Sequence, residues 1–178
     1  MLTHARETLA QLRATGRPYN LTILTLDTHE PPGTFPGCAD AGPNPMATAL
    51  KCSLRAVAAF LADLKAAGEL EDTVVMLMTD HLKMLSAGDN YRVELALVTD
   101  RRLLLRVWSP DPVTFGRSGA DQLSVLATTL ELLGFGLPDG RAGLGVSFVG
   151  SHDVAGTAPA LPTDEYRDVV TAPSAQLY

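Results

Sequence analysis

Hydrophobic positions fall in short blocks separated by glycine, proline and small polar residues, and the spacing inside each block predicts its element. Thr3–Ala14 sets Leu9 and Leu12 on one side of a short helix that Gly16 and Pro18 end. Leu21–Leu26 is a compact apolar, β-branched run, the pattern of a buried strand. Asp27–Pro45 is crowded with proline and glycine and predicts loop. A strong helix follows, with Asn44 as its N-cap and Pro45 at the first helical position. Leu50, Leu54, Val57, Leu61 and Leu64 alternate spacings of four and three, which predicts one continuous apolar stripe. Lys51, Arg55, Asp63 and Lys65 fall off that stripe toward water, and Gly68 supplies the stop.

Thr73–Met78 reads as a second buried strand, and Val93–Val98 and Leu103–Trp108 as two more. Pro110–Gly119 is loop. Asp121 is placed to cap a helix carrying Leu123, Leu126, Leu130 and Leu133, closed by Gly134. Gly136–Gly150 is a glycine-rich loop, and Ser151–Tyr178 has no clear period and is expected to be an extended C-terminal tail. The expected organisation is therefore one α/β unit over residues 1–150 followed by a tail over 151–178. Its fold class is α/β, a mainly parallel sheet flanked by helices. The unit from Leu21 to Met78 is expected to be a right-handed parallel crossover, with strands covered on both faces.

Composition narrows the classes of function. With 46% hydrophobic and 19% charged residues, a mainly disordered chain is excluded. Lys plus Arg number 14 against 20 Asp plus Glu, a net charge of -6, so no nucleic-acid partner is expected. No apolar run approaches the roughly 18–20 residues of a membrane helix, and Met1–Arg17 has no stretch of signal-peptide type. The two cysteines, Cys38 and Cys52, form no CxxC pair, which argues against a structural zinc cluster. Two readings stay open for them: unrelated thiols, or one disulfide tying the loop to the following helix in an oxidising compartment.

The candidate chemistry lies at two strand ends. Leu21–Leu26 runs into Asp27-Thr28-His29, and Val74–Met78 runs into Thr79-Asp80-His81. Open α/β sheets bind ligands outside the carboxyl ends of their strands. Parallel strands would deliver Asp27, His29, Asp80 and His81 to one edge, where carboxylate oxygen and imidazole nitrogen suit a divalent cation. The plainer alternative is that each Asp is a turn or capping residue and each His a satisfied structural one. Thr25 and Thr28 read as strand and turn residues rather than nucleophiles, and His4 and His152 as structural.

The segments TLDTHEPPG, KCSLRAVAAFLADLK and DTVVMLMTDHL, with DQLSVLATTLELLGFGLPDGRAGLG later, resemble the sulfatase-like branch of the alkaline phosphatase superfamily. Within it the sequence is most similar to the C-terminal part of the periplasmic glucan phosphoglycerol transferases, relatives of lipoteichoic acid synthase. The resemblance implies that Asp80 and His81 ligate a divalent metal, manganese foremost, with magnesium, calcium or zinc as alternatives. It implies that His29 contacts the substrate phosphate or head group, and that Cys38 and Cys52 form the disulfide, in a periplasmic setting. The reaction it implies moves phosphoglycerol from phosphatidylglycerol to glucan at the periplasmic face of the inner membrane.

In that family the hydroxyl nucleophile and an acidic metal ligand lie upstream, after transmembrane helices. This chain matches neither, so no catalytic nucleophile is assigned and the chain alone is expected to be inactive. Its expected partners are the missing N-terminal half of the catalytic domain, or a partner chain. A sulfatase or phosphoethanolamine transferase relative is the neighbouring alternative, although Leu82 stands where sulfatases usually place glycine. A non-enzymatic α/β module that pairs with another chain is the remaining one.

Overall fold

A computed structural model of the chain describes residues 1–30, 32, 38, 44–83, 91–117 and 121–173. The expected Asp27–Pro45 loop and the last residues of the expected tail lie partly outside this set. The chain forms two compact units, Met1–Glu69 with Met78–Leu105, and Leu70–Leu77 with Arg106–Tyr178.

The first unit is built on two helices, α1 (Leu2–Ala14) and α2 (Pro45–Ala66). The Asn44 side chain accepts hydrogen bonds from the Met46 and Ala47 amides, satisfying two of the donors that a helix start leaves open. Gly68 takes the left-handed φ of 76° that ends α2. Arg6 lies over the Phe60 ring, 5.2 Å from its centroid, and pairs with Asp63, which joins the two helices. The face of α2 that is buried carries Met46, Ala49, Ser53 and Phe60. The expected leucine stripe is only partly covered: Val57, Leu61 and Leu64 are half-buried, while Leu50 is 44% and Leu54 51% exposed.

Two further readings are corrected in this unit. Leu21–Leu26 has no regular secondary structure and joins no ladder among the described residues, so the expected parallel crossover is not seen there. Val93–Val98 is not a strand: Arg92–Ala96 is a short helix, α3. The alternation in that run is ambiguous at such a length, and Glu94, Leu95 and Ala96 are all good helix formers.

The second unit holds β1 (Val75–Met78) and β2 (Leu105–Trp108), paired as a two-stranded sheet apart from their end residues Met78 and Leu105, which fall in the first unit. It also holds α4 (Ser124–Leu132) and the hairpin of β3 (Arg141–Ala142) and β4 (Gly145–Val146). β3 and β4 pair antiparallel, with Arg141 opposite Val146. The class is thus mixed α/β with two small two-stranded sheets among the described residues, and the expected mainly parallel sheet is not seen. Within Ser151–Tyr178, expected to be extended, Thr163–Thr171 forms α5, whose first turn carries Asp164 and Glu165 at the positive end of the helix dipole.

The core of this unit is polar where α4 meets β4. Ser124, Ala127 and Thr128 are buried, while Leu126 and Leu133 of the expected leucine face are exposed. Ser124 Oγ accepts from the Val146 amide at 3.1 Å and from Arg117 at 2.8 Å, and donates to Asp121. Thr128 Oγ1 accepts from the Phe148 amide at 3.0 Å and donates to the Ser124 carbonyl at 2.8 Å. The Arg117 guanidinium sits 4.6 Å from the centre of the Phe148 ring and also donates to the Val146 carbonyl. Burial pulls its pKa below the ordinary arginine value, opposed by the neighbouring Asp121.

Helix side chains here do for the backbone beyond β4 what a neighbouring strand would do. Thr128→Val keeps the volume but leaves the Phe148 amide buried without its acceptor. It is expected to destabilise this unit by about 1–3 kcal/mol, read as a lower urea midpoint. Gly145→Ala places a Cβ 2.1 Å from the Leu123 carbonyl oxygen, a backbone clash. Its expected cost is at least about 1–3 kcal/mol in the same measurement.

Candidate functional site

Every candidate ligand lies in the first unit, on the two loops that follow the apolar runs. The first loop opens with a turn in which the His29 amide donates to the Leu26 carbonyl at 3.0 Å, so His29 is hung directly from the end of the Leu21–Leu26 segment. Asp27 and Thr28, inside that turn, are half-buried, and His29 is exposed. The second loop leaves β1 through Thr79. The Thr79 amide donates to the Leu104 carbonyl at 3.1 Å, and its hydroxyl accepts from the Leu104 amide at 3.0 Å. That double tie fixes the backbone immediately before Asp80.

The two histidines are held in the same way. His29 Nδ1 lies 2.8 Å from the Glu30 carbonyl oxygen, and His81 Nδ1 lies 2.8 Å from the Leu82 carbonyl oxygen. A carbonyl oxygen only accepts, so Nδ1 carries the proton in both rings. In the neutral imidazole the lone pair is then on Nε2, the form in which histidine ligates a metal with its other nitrogen bonded to backbone. His81 Nε2 stands 3.4 Å from Asp80 Oδ2, and Asp80 Oδ1 accepts from the His81 amide at 2.9 Å. Both side chains are mostly solvent-exposed, at 59% for His81 and 73% for Asp80.

The loops meet through a pair that the sequence reading did not single out. Lys83 Nζ lies 2.9 Å from Glu30 Oε1, with the two side chains only 29% and 34% exposed. Arg101 donates to the Lys83 carbonyl, buttressing the same loop from a third segment. The signal for this pair was present, since Glu30 directly follows His29 and Lys83 lies three residues after Asp80. Only the folded chain shows that they face each other.

Asp80 and His81 therefore form one adjacent carboxylate–imidazole couple, and the Glu30–Lys83 pair holds the His29 loop beside it. Among the described residues no three His, Cys, Asp or Glu side chains come together as a metal-binding group, so His29 and Asp27 stand outside the couple. Cys38 and Cys52 are joined as a disulfide with Cα atoms 6.1 Å apart, a usual separation for such a bond. It ties Cys38, in the chain between His29 and α2, to the buried side of that helix. His4 pairs with Glu7 and His152 with Glu131, each at 3.1 Å, which are local structural roles.

No family model matches the chain, and no solved structure matches it. Among curated proteins it is similar to phosphoglycerol transferase I of Escherichia coli O139:H28, 32% identical over 98 residues that cover 51% of this chain and 13% of the relative. It is also similar to phosphoglycerol transferase I of Xanthomonas axonopodis pv. citri, 28% identical over 177 residues that cover 94% of this chain and 24% of the relative. The chain thus spans about a quarter or less of the length of these relatives. The resemblance to the glucan phosphoglycerol transferases read from the sequence is supported over nearly all of the chain.

The Glu30–Lys83 pair carries a direct test. In a double-mutant cycle with Glu30→Gln and Lys83→Met, the coupling energy is expected to be about 0.5–1 kcal/mol. Each single variant is expected to speed amide exchange in both loops and leave α1 and α2 unchanged. A coupling near zero would mean that the loops are held together by something else.

Proposed function

We propose that the chain carries part of a metal-dependent phosphoglycerol-transfer centre, the C-terminal portion of a transferase acting at the periplasmic face of the inner membrane. The observation that carries this reading is the Asp80–His81 couple at the end of β1, in a chain similar over nearly its whole length to phosphoglycerol transferase I. The donor set fits a divalent cation as part of a shell. His81 Nε2 and Asp80 Oδ2 are separated by 3.4 Å, near enough that both would serve as donors to one divalent cation. Carboxylate oxygen with imidazole nitrogen suits manganese or zinc; magnesium and calcium favour oxygen donors. A bound cation supplies charge neutralisation at the phosphoryl oxygens and lowers the pKa of a coordinated hydroxyl.

The proposed reaction takes phosphoglycerol from phosphatidylglycerol to a glucan hydroxyl. The bond from phosphorus to the diacylglycerol oxygen breaks, a bond to the acceptor oxygen forms, and the proton ends on diacylglycerol. Asp80 and His81 would hold the cation. His29, with Nδ1 already donating to the Glu30 carbonyl, offers Nε2 to the phosphate or head group. None of this chain's hydroxyls is assigned as the nucleophile, which is proposed to come from polypeptide outside these residues.

α2 meets the length and composition of a membrane-crossing helix, and that alone is weak grounds for an insertion. Its capped start, its Lys51, Arg55 and Asp63, and its packing on α1 are those of a helix in a water-facing unit. The periplasmic assignment is supported instead by the Cys38–Cys52 disulfide, which belongs to oxidising compartments.

Titration with manganese, followed by the loss of its free aqueous electron paramagnetic resonance signal, tests the site. Asp80→Asn and His81→Gln are each expected to weaken binding at least about tenfold, or about 1.4 kcal/mol, without lowering the melting temperature. The chain alone is expected to show no turnover of phosphatidylglycerol with glucan, or of a generic phosphodiester, in the presence of manganese. Turnover abolished by Asp80→Ala would overturn the assignment of the nucleophile elsewhere. Manganese binding indifferent to both substitutions would overturn the metal centre.

A further inference from the structure

The chain leaves β2 through Ser109-Pro110-Asp111-Pro112, and each proline narrows the backbone choices of the residue before it. Ser109 and Asp111 are therefore held on a stiff turn. That turn borders an open cleft of about 360 Å³ in the second unit, within the size range of small-molecule sites. The apolar lining is Leu70, Trp108, Val113 and Phe115, and the polar lining is Ser109 and Asp111. Both aromatic residues sit on secured backbone. Trp108 ends β2, which pairs with β1. Phe115 lies between two hydrogen bonds: the Thr114 carbonyl accepts from the Gly150 amide at 2.8 Å, and the Gly116 amide donates to the Phe148 carbonyl at 2.9 Å. Gly116 approaches Gly150 so closely that a Cβ would stand 1.6 Å from its carbonyl oxygen. Trp108 is half-buried, while Phe115 and Asp111 are exposed.

We propose that this cleft is a saccharide subsite that takes one neutral hexose unit of a glycan chain. The ligand class follows from the lining. Among the described residues that line the cleft, Asp111 alone is ionisable and none is basic, so a phosphate or other anion meets repulsion and no counter-charge. A bare divalent cation would find one carboxylate where such ions take several oxygen donors. A purely apolar ligand would strip water from the Asp111 carboxylate and the Ser109 hydroxyl and return no hydrogen bond. A sugar ring answers both kinds of lining. Its C–H faces cover the aromatic and aliphatic carbon, while its hydroxyls donate to Asp111 and exchange hydrogen bonds with Ser109. Rigid aromatic side chains on a stiff turn leave little to be ordered when the ring arrives. The subsite is argued from its own lining and needs no metal. On the proposed function, it gives the glucan acceptor a point of attachment on the second unit.

Trp108 is the only tryptophan of the chain, so its fluorescence reports on the cleft directly. Titration of the 178-residue chain with maltopentaose and with laminaripentaose, in chelator and without manganese, is expected to give a saturable shift of that emission with at least one of the two. Inorganic phosphate at the same concentration is expected to give none. Asp111→Ala and Phe115→Ala alter exposed side chains. Each is expected to keep the melting temperature and to weaken the saccharide at least about tenfold. Asp80→Asn is expected to leave saccharide binding unchanged. Four results would overturn the subsite: no shift with either saccharide, an affinity that either cleft variant leaves unchanged, an equal shift with phosphate, or a shift that follows protein concentration alone, as when two copies cover the cleft. The two readings fail separately, because manganese binding indifferent to Asp80→Asn would overturn the metal centre and leave the saccharide subsite standing.

Discussion

Extended backbone needs a partner for every amide and carbonyl it buries, and the two units of this protein meet that constraint in opposite ways. In the second unit the strand neighbour is replaced by helix side chains. Ser124 and Thr128 give their hydroxyls to the Val146 and Phe148 amides, and Arg117 takes up the Val146 carbonyl. The three side chains are themselves tied to Asp121, to the Ser124 carbonyl and to the Phe148 ring, so the network closes on itself. It also fixes the spacing, because Gly145 must come close enough to the α4 backbone to leave no room for a Cβ. In the first unit nothing equivalent is present along Leu21–Thr25 among the described residues.

The candidate site inherits both solutions. Asp80 follows a residue whose amide and hydroxyl are both bonded to Leu104, so the carboxylate starts from a fixed backbone position. His29 hangs from the carbonyl of Leu26, at the end of the segment without neighbours. The Glu30–Lys83 pair is the bridge between the two. Such a partly exposed pair holds loops in register at a modest free energy, of order 1 kcal/mol or less. Both imidazoles are set in the same tautomer by their own loop backbone, so that part of the preparation needs no outside group.

What was legible in the sequence was mostly local. The Asn44 cap, the stops at Gly68 and Gly134, β1 and β2 each rest on one or a few neighbouring residues, and each is found where the pattern places it. The Asp80–His81 couple was legible for the same reason, since adjacent residues at a strand end need no long-range information. The burial of the leucine stripes was not. Apolar spacing tells which face of a helix wants cover, not whether cover is present; in α4 the packed face is made of small or hydroxyl-bearing residues instead, and in α2 it is centred on Met46, Ala49, Ser53 and Phe60. Whether a run such as Leu21–Leu26 joins a ladder is a tertiary matter that the run cannot encode, and Val93–Val98 was too short for alternation to outweigh helix propensity.

His29 is coupled to the Leu21–Leu26 segment through one hydrogen bond. Because the His29 amide donates to the Leu26 carbonyl, whatever restricts the Leu26 backbone also restricts the turn that carries His29. Ordering such a turn costs about 1–2 kcal/mol per residue fixed, so a contact that already holds the segment leaves less of that cost to any contact the His29 ring makes.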